Sequence, residues 1–268
     1  MTPKICLNTI TIKQATLEEK IRVTADAGYK GIGLWVNEIR EYVERVNDMT
    51  HLKKMLKEHN LQAAEICFIG GWHYTTGEAK RKALVEAEDI LKIARFLECP
   101  CVIAPASVEE GSIARSVEDF AGLCELGAKY GVSVAFEFLG FAKQVRDIKL
   151  GWEIVQETAS EYGGLVLDTF HFHRGGSKIE DLKAVSVDKI FLVHINDAMD
   201  VPKEMLQDKH RVFPGEGVIG LKELLGVLAA KGYDGYYSLE IFNEDYWAAA
   251  PSWVAAEGFK AVTRVLET

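Results

Sequence analysis

Positive charge is in short supply in this chain: 31 Lys and Arg stand against 40 Asp and Glu among 268 residues, for a formal net charge of −9 and a pI near 5.4. A surface of that sign repels phosphate backbones, so nucleic acid is not expected as a partner. No local basic patch overrides the field. Lys53, Lys54 and Lys57 lie beside His51 and Glu58 and read as a solvated helix surface. Cysteines are few and unpaired: Cys6, Cys67, Cys99, Cys101 and Cys124 are odd in number, form no C-x-x-C, and have no histidine beside the Cys99-Pro100-Cys101 run. That pattern excludes a disulfide framework and a zinc ribbon, and reads as reduced thiols in apolar segments. No uninterrupted apolar run reaches membrane length, so no membrane partner is expected. Met1-Thr2-Pro3-Lys4 leads straight into a strand-like segment without the apolar core of a signal peptide, and the expected location is the cytoplasm. Nothing reads as a linker or a low-complexity segment.

What is present is ordinary globular composition, 48% hydrophobic and 26% charged, enough for a large core without disulfides. Short β-rich runs alternate with longer helical patterns along the whole chain. The strands are expected at Ile5–Asn8, Gly31–Val36, Ala63–Cys67, Cys101–Ala104, Ser133–Glu137, Gly164–Asp168, Ile190–Ile195 and Tyr236–Glu240. Several are continuous apolar runs, as parallel strands covered on both faces should be. A helix starts at Thr16, with Glu19 at capping-box spacing, and closes near Gly28. Others are expected at Thr50–Glu58, Thr76–Phe96, Ser112–Tyr130 before Gly131, Asp147–Tyr162, Ile179–Val185, Leu221–Ala230 and Ala248–Leu266. Asp26-Ala27-Gly28-Tyr29-Lys30-Gly31 and Ala230-Lys231-Gly232-Tyr233-Asp234-Gly235 look alike, and read as one helix-to-strand turn used twice. A doubly wound open sheet is the competing architecture, but no G-x-G-x-x-G follows the first strand and no Walker motif occurs anywhere. Eight strand–helix units across residues 1–268 predict one domain, a single (β/α)₈ TIM barrel.

In such a barrel the chemistry sits where strands end and βα loops begin. The fifth and sixth strands end on Glu137 and Asp168, the seventh places His194 near its end, and the eighth ends on Glu240. Any one of these carboxylates is as well explained by a helix cap or a surface ion pair. Three of them with an imidazole, on four successive strands, are not. Three carboxylates and an imidazole gathered on one rim would repel one another without a positive centre. One divalent metal ion resolves that conflict, and a mixed oxygen and nitrogen donor set suits Mn²⁺, Co²⁺, Fe²⁺ or Zn²⁺. His171 follows Asp168 by three residues and is a candidate to bind a substrate oxygen or to support the ligands. Arg211 opens Arg211-Val212-Phe213-Pro214-Gly215-Glu216-Gly217, a tight-turn sequence, and would bring a fixed cation to the rim. There it would pair with an acidic ligand or polarise a substrate oxygen. Trp72, beside Gly70-Gly71, would form an apolar wall for a sugar ring or else pack in the core.

Several of these segments resemble the xylose-isomerase-like TIM-barrel superfamily, and within it the inosose isomerase group. They are Val134-Ala135-Phe136-Glu137-Phe138, Leu167-Asp168-Thr169-Phe170-His171-Phe172-His173, His194-Ile195-Asn196-Asp197, the Arg211–Gly217 run and Ser238-Leu239-Glu240-Ile241-Phe242. The opening Leu7-Asn8-Thr9-Ile10-Thr11 is similar too. The resemblance implies metal ligation at Glu137, Asp168, His194 and Glu240, with substrate contacts at His171 and Arg211. It also implies a polyhydroxylated ketone as substrate. DNA-repair members of the superfamily carry additional histidines at the ends of the second and third strands. Here those strands end Leu34-Trp35-Val36 and Ile66-Cys67-Phe68, and Asp208 and His210 match the downstream ligand pair only loosely. Phosphodiester cleavage is therefore not expected.

The expected activity is isomerisation of a cyclic keto-polyol, an inosose such as 2-keto-myo-inositol, in inositol catabolism. The expected cofactor is one divalent cation, Mn²⁺ first, with Co²⁺, Zn²⁺, Fe²⁺ and Mg²⁺ as alternatives. Glu137 and Glu240 would exchange protons with the substrate through an enediolate stabilised by a Lewis acid. The alternatives on the same residues are a ketose 3-epimerase, a keto-polyol dehydratase and a lyase cleaving keto-sugar C-glycosides. A sugar-binding or non-catalytic subunit is the non-enzyme alternative, and association into a homo-oligomer is compatible with the fold.

Overall fold

A computed structural model describes residues 3–267. Met1 and Thr2, which head the run read as lacking a leader, lie outside the described residues, as does Thr268. Eight parallel strands close into a barrel: β1 Lys4–Asn8, β2 Gly31–Trp35, β3 Gln62–Cys67, β4 Cys101–Pro105, β5 Ser133–Glu137, β6 Gly163–Asp168, β7 Ile190–Ile195 and β8 Tyr236–Leu239. Each strand pairs with its neighbours in sequence, and β8 returns to β1 through Lys4↔Tyr236 to Leu7↔Leu239. The chain is thus a (β/α)₈ TIM barrel. No helix of the described residues is long and apolar enough to cross a membrane.

Most helix ends fall where cap residues place them. Thr16 accepts a hydrogen bond from the Glu19 amide and Ser112 from that of Arg115, satisfying first-turn donors that would otherwise lack partners. The repeated turn is real: Gly28 and Gly232 both take left-handed φ, +102° and +77°, where a Cβ is strained. Between β2 and β3 the structure differs from expectation. Val36 does not extend the strand but starts a helix, Val36–Val46, ahead of the expected one at Met49–Glu58. Asn47 (φ +54°) closes the first, and Asp48 caps the second through the Thr50 amide at 2.8 Å. The expected last helix, Ala248–Leu266, starts later, at Pro251, whose missing amide hydrogen suits the first helical position, and a separate short helix, Glu244–Ala248, precedes it.

Two cores hold the barrel. The larger lies between strands and helices; a smaller one, Cys67, Cys101, Ile103, Ala135, Val166 and Leu192, fills the barrel's inside. All five cysteines are free and buried. Toward the mouth the inside turns polar, and space there is tight. A Cβ built on Gly33 would lie 2.3 Å from Glu65 Oε1. Gly33→Ala should therefore cost about 1–3 kcal/mol of stability through overpacking, read as a lower midpoint in urea at unchanged slope.

Candidate metal centre and its cavity

Four strands deliver their last side chains to one point at the mouth. Glu137 closes β5, Asp168 closes β6, His194 is the penultimate residue of β7, and Glu240 stands one residue beyond β8 rather than inside it. One donor atom from each lies within 4.8 Å of all the others. His194 Nδ1 is 3.0 Å from Glu137 Oε1, 3.3 Å from Glu240 Oε2 and 3.7 Å from Asp168 Oδ2. Asp168 does two jobs at once. Its Oδ1 caps the short helix Thr169–Gly175 through the His171 amide (3.0 Å), while Oδ2 faces the cluster. The cap does not keep this aspartate from the cluster.

Arg211 arrives from above. A two-stranded ribbon pairs Asp197–Ala198 with Arg211–Val212 across the mouth. Beyond it Phe213–Glu216 closes the expected turn, with Glu216 N donating to Phe213 O at 3.0 Å and Gly215 at φ +85°. The Asp197 carboxylate pins that turn by accepting from the amides of Gly215 and Ile219. The guanidinium, 1% exposed, donates through Nη1 to Asp168 Oδ2 (2.6 Å) and Glu240 Oε2 (3.2 Å), and through Nη2 to Asp208 Oδ1 (2.9 Å). The pairing with acidic groups expected of Arg211 is present. Its Nη2 also sits 3.3 Å from His171 Nε2. A guanidinium can only donate, so Nε2 accepts and the His171 proton resides on Nδ1. That buried Nδ1 has no partner among the described residues.

The electrostatics follow from crowding. Burial alone would raise the Asp168 carboxyl, but the Arg211 guanidinium, with His171 and His194, holds it well below the usual carboxylate range. Burial pushes the Glu240 carboxyl up to about 8, with His194 and Arg211 offsetting only part of the rise and the charges of Glu137 and Asp168 adding to it. His194 moves the other way from a typical buried imidazole. Burial would lower it, but Glu240 and Glu65 raise it well above its ordinary value. Burial lowers the His171 imidazole, with the nearby Asp168 carboxylate opposing it. The cluster already gathers protons and a guanidinium to itself. A donor set of three carboxylates and one imidazole nitrogen within such reach fits a divalent cation.

The cluster forms one end of a cavity of about 480 Å³. Glu137, Glu240, His171, Arg211 and Asp208 line its charged end, and Trp35, Phe68, Phe141 and Phe242 are among the aromatic rings around it. Of the two roles expected of Trp72, core packing is the one observed. It lines the cavity, yet it is 2% exposed, stacks on His73 at 4.6 Å and donates from Nε1 to Pro105 O.

Other residues escaped the sequence reading. Glu65, fully buried in β3, bonds to His194, Ser238 and Asn8; Asn8 in turn reaches Glu240 Oε1 at 3.3 Å. Asp208 carries Arg211 rather than standing as a ligand of its own. His210 turns back to its own loop, accepting from the Gln207 amide. His73, in the loop after β3, has both ring nitrogens engaged, by Ser107 N and Ser116 Oγ. Among the described residues the other donor group of comparable reach, Glu65, Cys67 and His194, shares His194 with the first.

Known proteins resemble this chain along most of its length. The family model described as xylose isomerase-like TIM barrel matches residues 21–261. An inosose isomerase of Halalkalibacterium halodurans is 30% identical over 253 residues, covering 91% of this chain and 89% of the relative. Another, of Bacillus velezensis, is 28% identical over 253 residues, covering 91% and 90%. Among solved structures, the IOLI protein with a bound zinc atom superposes with a TM-score of 0.94 at 27% identity, over 98% of both chains.

Proposed function

Because the chain belongs to the xylose isomerase-like TIM barrel family, we propose that it is a divalent-metal-dependent isomerase of a cyclic keto-polyol, with an inosose as substrate. The observation that carries this reading is the convergence of Glu137, Asp168, His194 and Glu240 beside a cavity that also holds His171 and Arg211. The inosose isomerase relatives and the zinc-bound neighbour support it. In this proposal the four residues hold one cation. The oxygen-rich donor set favours Mn²⁺, a harder ion than Zn²⁺.

The cation supplies Lewis-acid polarisation of the substrate ketone. The side chains do the rest. Glu137 and Glu240 both approach His194 Nδ1, at 3.0 and 3.3 Å, and each has a carboxylate that can exchange a proton. One removes the proton from the carbon that bears the neighbouring hydroxyl and returns it to the former carbonyl carbon. The hydroxyl proton passes to the former carbonyl oxygen through the other. Their roles reverse in the return direction. His171 donates from its free Nδ1–H to a substrate oxygen, and Arg211 fixes its tautomer while holding Asp168 ionised. The aromatic wall of Trp35, Phe68 and Phe242 receives the C–H face of the ring.

The test is incubation with Mn²⁺ and 2-keto-myo-inositol in D₂O, followed by NMR. The expected product is the shifted ketone, with deuterium at the carbon that was the carbonyl. A 3-epimer from a ketose, or loss of water from a keto-polyol, would reassign the reaction while keeping the site. Absence of deuterium uptake by inososes, ketoses and keto-polyols alike would refute the catalytic reading and leave a binding protein.

A further inference from the structure

One ionisable group in the barrel touches no part of the cavity and still contacts the cluster. In β3, Ile66 packs outward into the larger core, so Glu65 and Cys67 on either side of it face inward. An inward glutamate on a parallel strand is costly unless every lone pair finds a donor. Glu65 finds them on three other strands. Its Oε1 accepts from Asn8 Nδ2 of β1 at 3.0 Å and from Ser238 Oγ of β8 at 2.6 Å, and its Oε2 lies 2.7 Å from His194 Nε2 of β7. The bare Cα of Gly33 on β2 leaves the room this carboxylate occupies.

We propose that Glu65 is a positioning residue for His194: its carboxylate, anchored by Asn8 and Ser238, holds the Nε2–H and so turns Nδ1 toward Glu137, Asp168 and Glu240. An imidazole can turn over about its Cβ–Cγ bond and exchange the direction of its nitrogens. Glu65 removes that freedom, because only one orientation keeps the 2.7 Å bond. It also selects the tautomer, since a carboxylate accepts and the facing nitrogen must donate. A histidine held this way presents its other nitrogen as an unprotonated, oriented ligand, and loss of such an outer partner weakens metal affinity about 10–100-fold. The assignment rests on the metal-site reading above; its first readout does not.

The experiment uses the full chain labelled with ¹⁵N-histidine, as wild type, Glu65→Gln and Ser238→Ala. Without added metal, the wild-type His194 spectrum should show Nε2 carrying a strongly hydrogen-bonded proton. Glu65→Gln, which is nearly isosteric, should shift that resonance and broaden the ring's signals. Mn²⁺ titration by calorimetry should then show affinity reduced about 10–100-fold in Glu65→Gln. Ser238→Ala, which loosens the anchor and leaves the histidine bond, should fall between. A purely structural role would lower the Tm of both variants and leave the Mn²⁺ affinity of the folded protein unchanged. The proposal is overturned if both variants bind Mn²⁺ within twofold of wild type, or if His194 Nε2 bears no hydrogen-bonded proton. A wild-type chain that shows the Nε2 signature but takes up no Mn²⁺ sinks the metal-site reading and the ligand role of His194, and leaves only the His194–Glu65 bond.

Discussion

Replacing Glu240 with Gln will stop the exchange of the substrate α-proton with solvent, lowering turnover about 10²–10⁴-fold. The substitution keeps the side chain's volume, and its amide oxygen remains able to face a cation. It removes the ability to accept and return a proton. Glu240 stands at the cavity's charged end, 3.3 Å from His194 Nδ1 and within reach of Arg211 and Asn8. A Gln there makes neutral hydrogen bonds with the same neighbours, so the fold should survive. Proton exchange in D₂O separates the outcomes: loss of exchange with retained Mn²⁺ binding is expected. Exchange at the wild-type rate would remove Glu240 from the reaction and leave it a ligand alone.

Arg211→Met should be the most damaging single change to stability. The guanidinium is the fixed positive partner of Asp168, Glu240 and Asp208, and it packs over the Phe170 ring at 4.7 Å. Met preserves much of the packing and none of the charge. Breaking a buried pair by removing one partner costs about 3–5 kcal/mol, because the remaining charges stay buried without compensation. Urea denaturation of the metal-free protein reads that loss directly. A divalent cation should then rescue the variant more than it stabilises the wild type, since it would supply the charge the arginine gave. At a hundred times Kd, binding to the native state alone adds about 2.7 kcal/mol. Equal stabilisation of both proteins would mean that arginine and cation do not share the same carboxylates.

The barrel was legible because parallel strands buried on both faces read as apolar runs, and a carboxylate at the end of such a run stands out. Glu137 and Asp168 were readable in that way, and Glu240 was too, although it lies one step past its strand. What was hidden depended on pairing across the sheet. Glu65 sits inside Ala63-Ala64-Glu65-Ile66-Cys67 with nothing local to explain it. Its partners lie 57, 129 and 173 residues away along the chain. An inward alternation in β3 was the only sign available. The helix Val36–Val46 had a local signal that went unread: apolar residues at 36, 39, 43 and 46, followed by Asn47. It was masked by the β-branched Val36, which looks like the end of the strand before it. For Arg211 the chain offered two roles. The geometry establishes the ion pairs, and it also sets the guanidinium Nη2 3.3 Å from His171 Nε2.

Whether one cation binds where the four strand-end side chains meet is read most directly by anomalous diffraction from crystals soaked in Mn²⁺. A single strong peak per chain is expected, within coordination distance of Glu137, Asp168, His194 Nδ1 and Glu240. A soaked crystal with no peak there, or one whose only peak lies on other side chains, would contradict binding at that point.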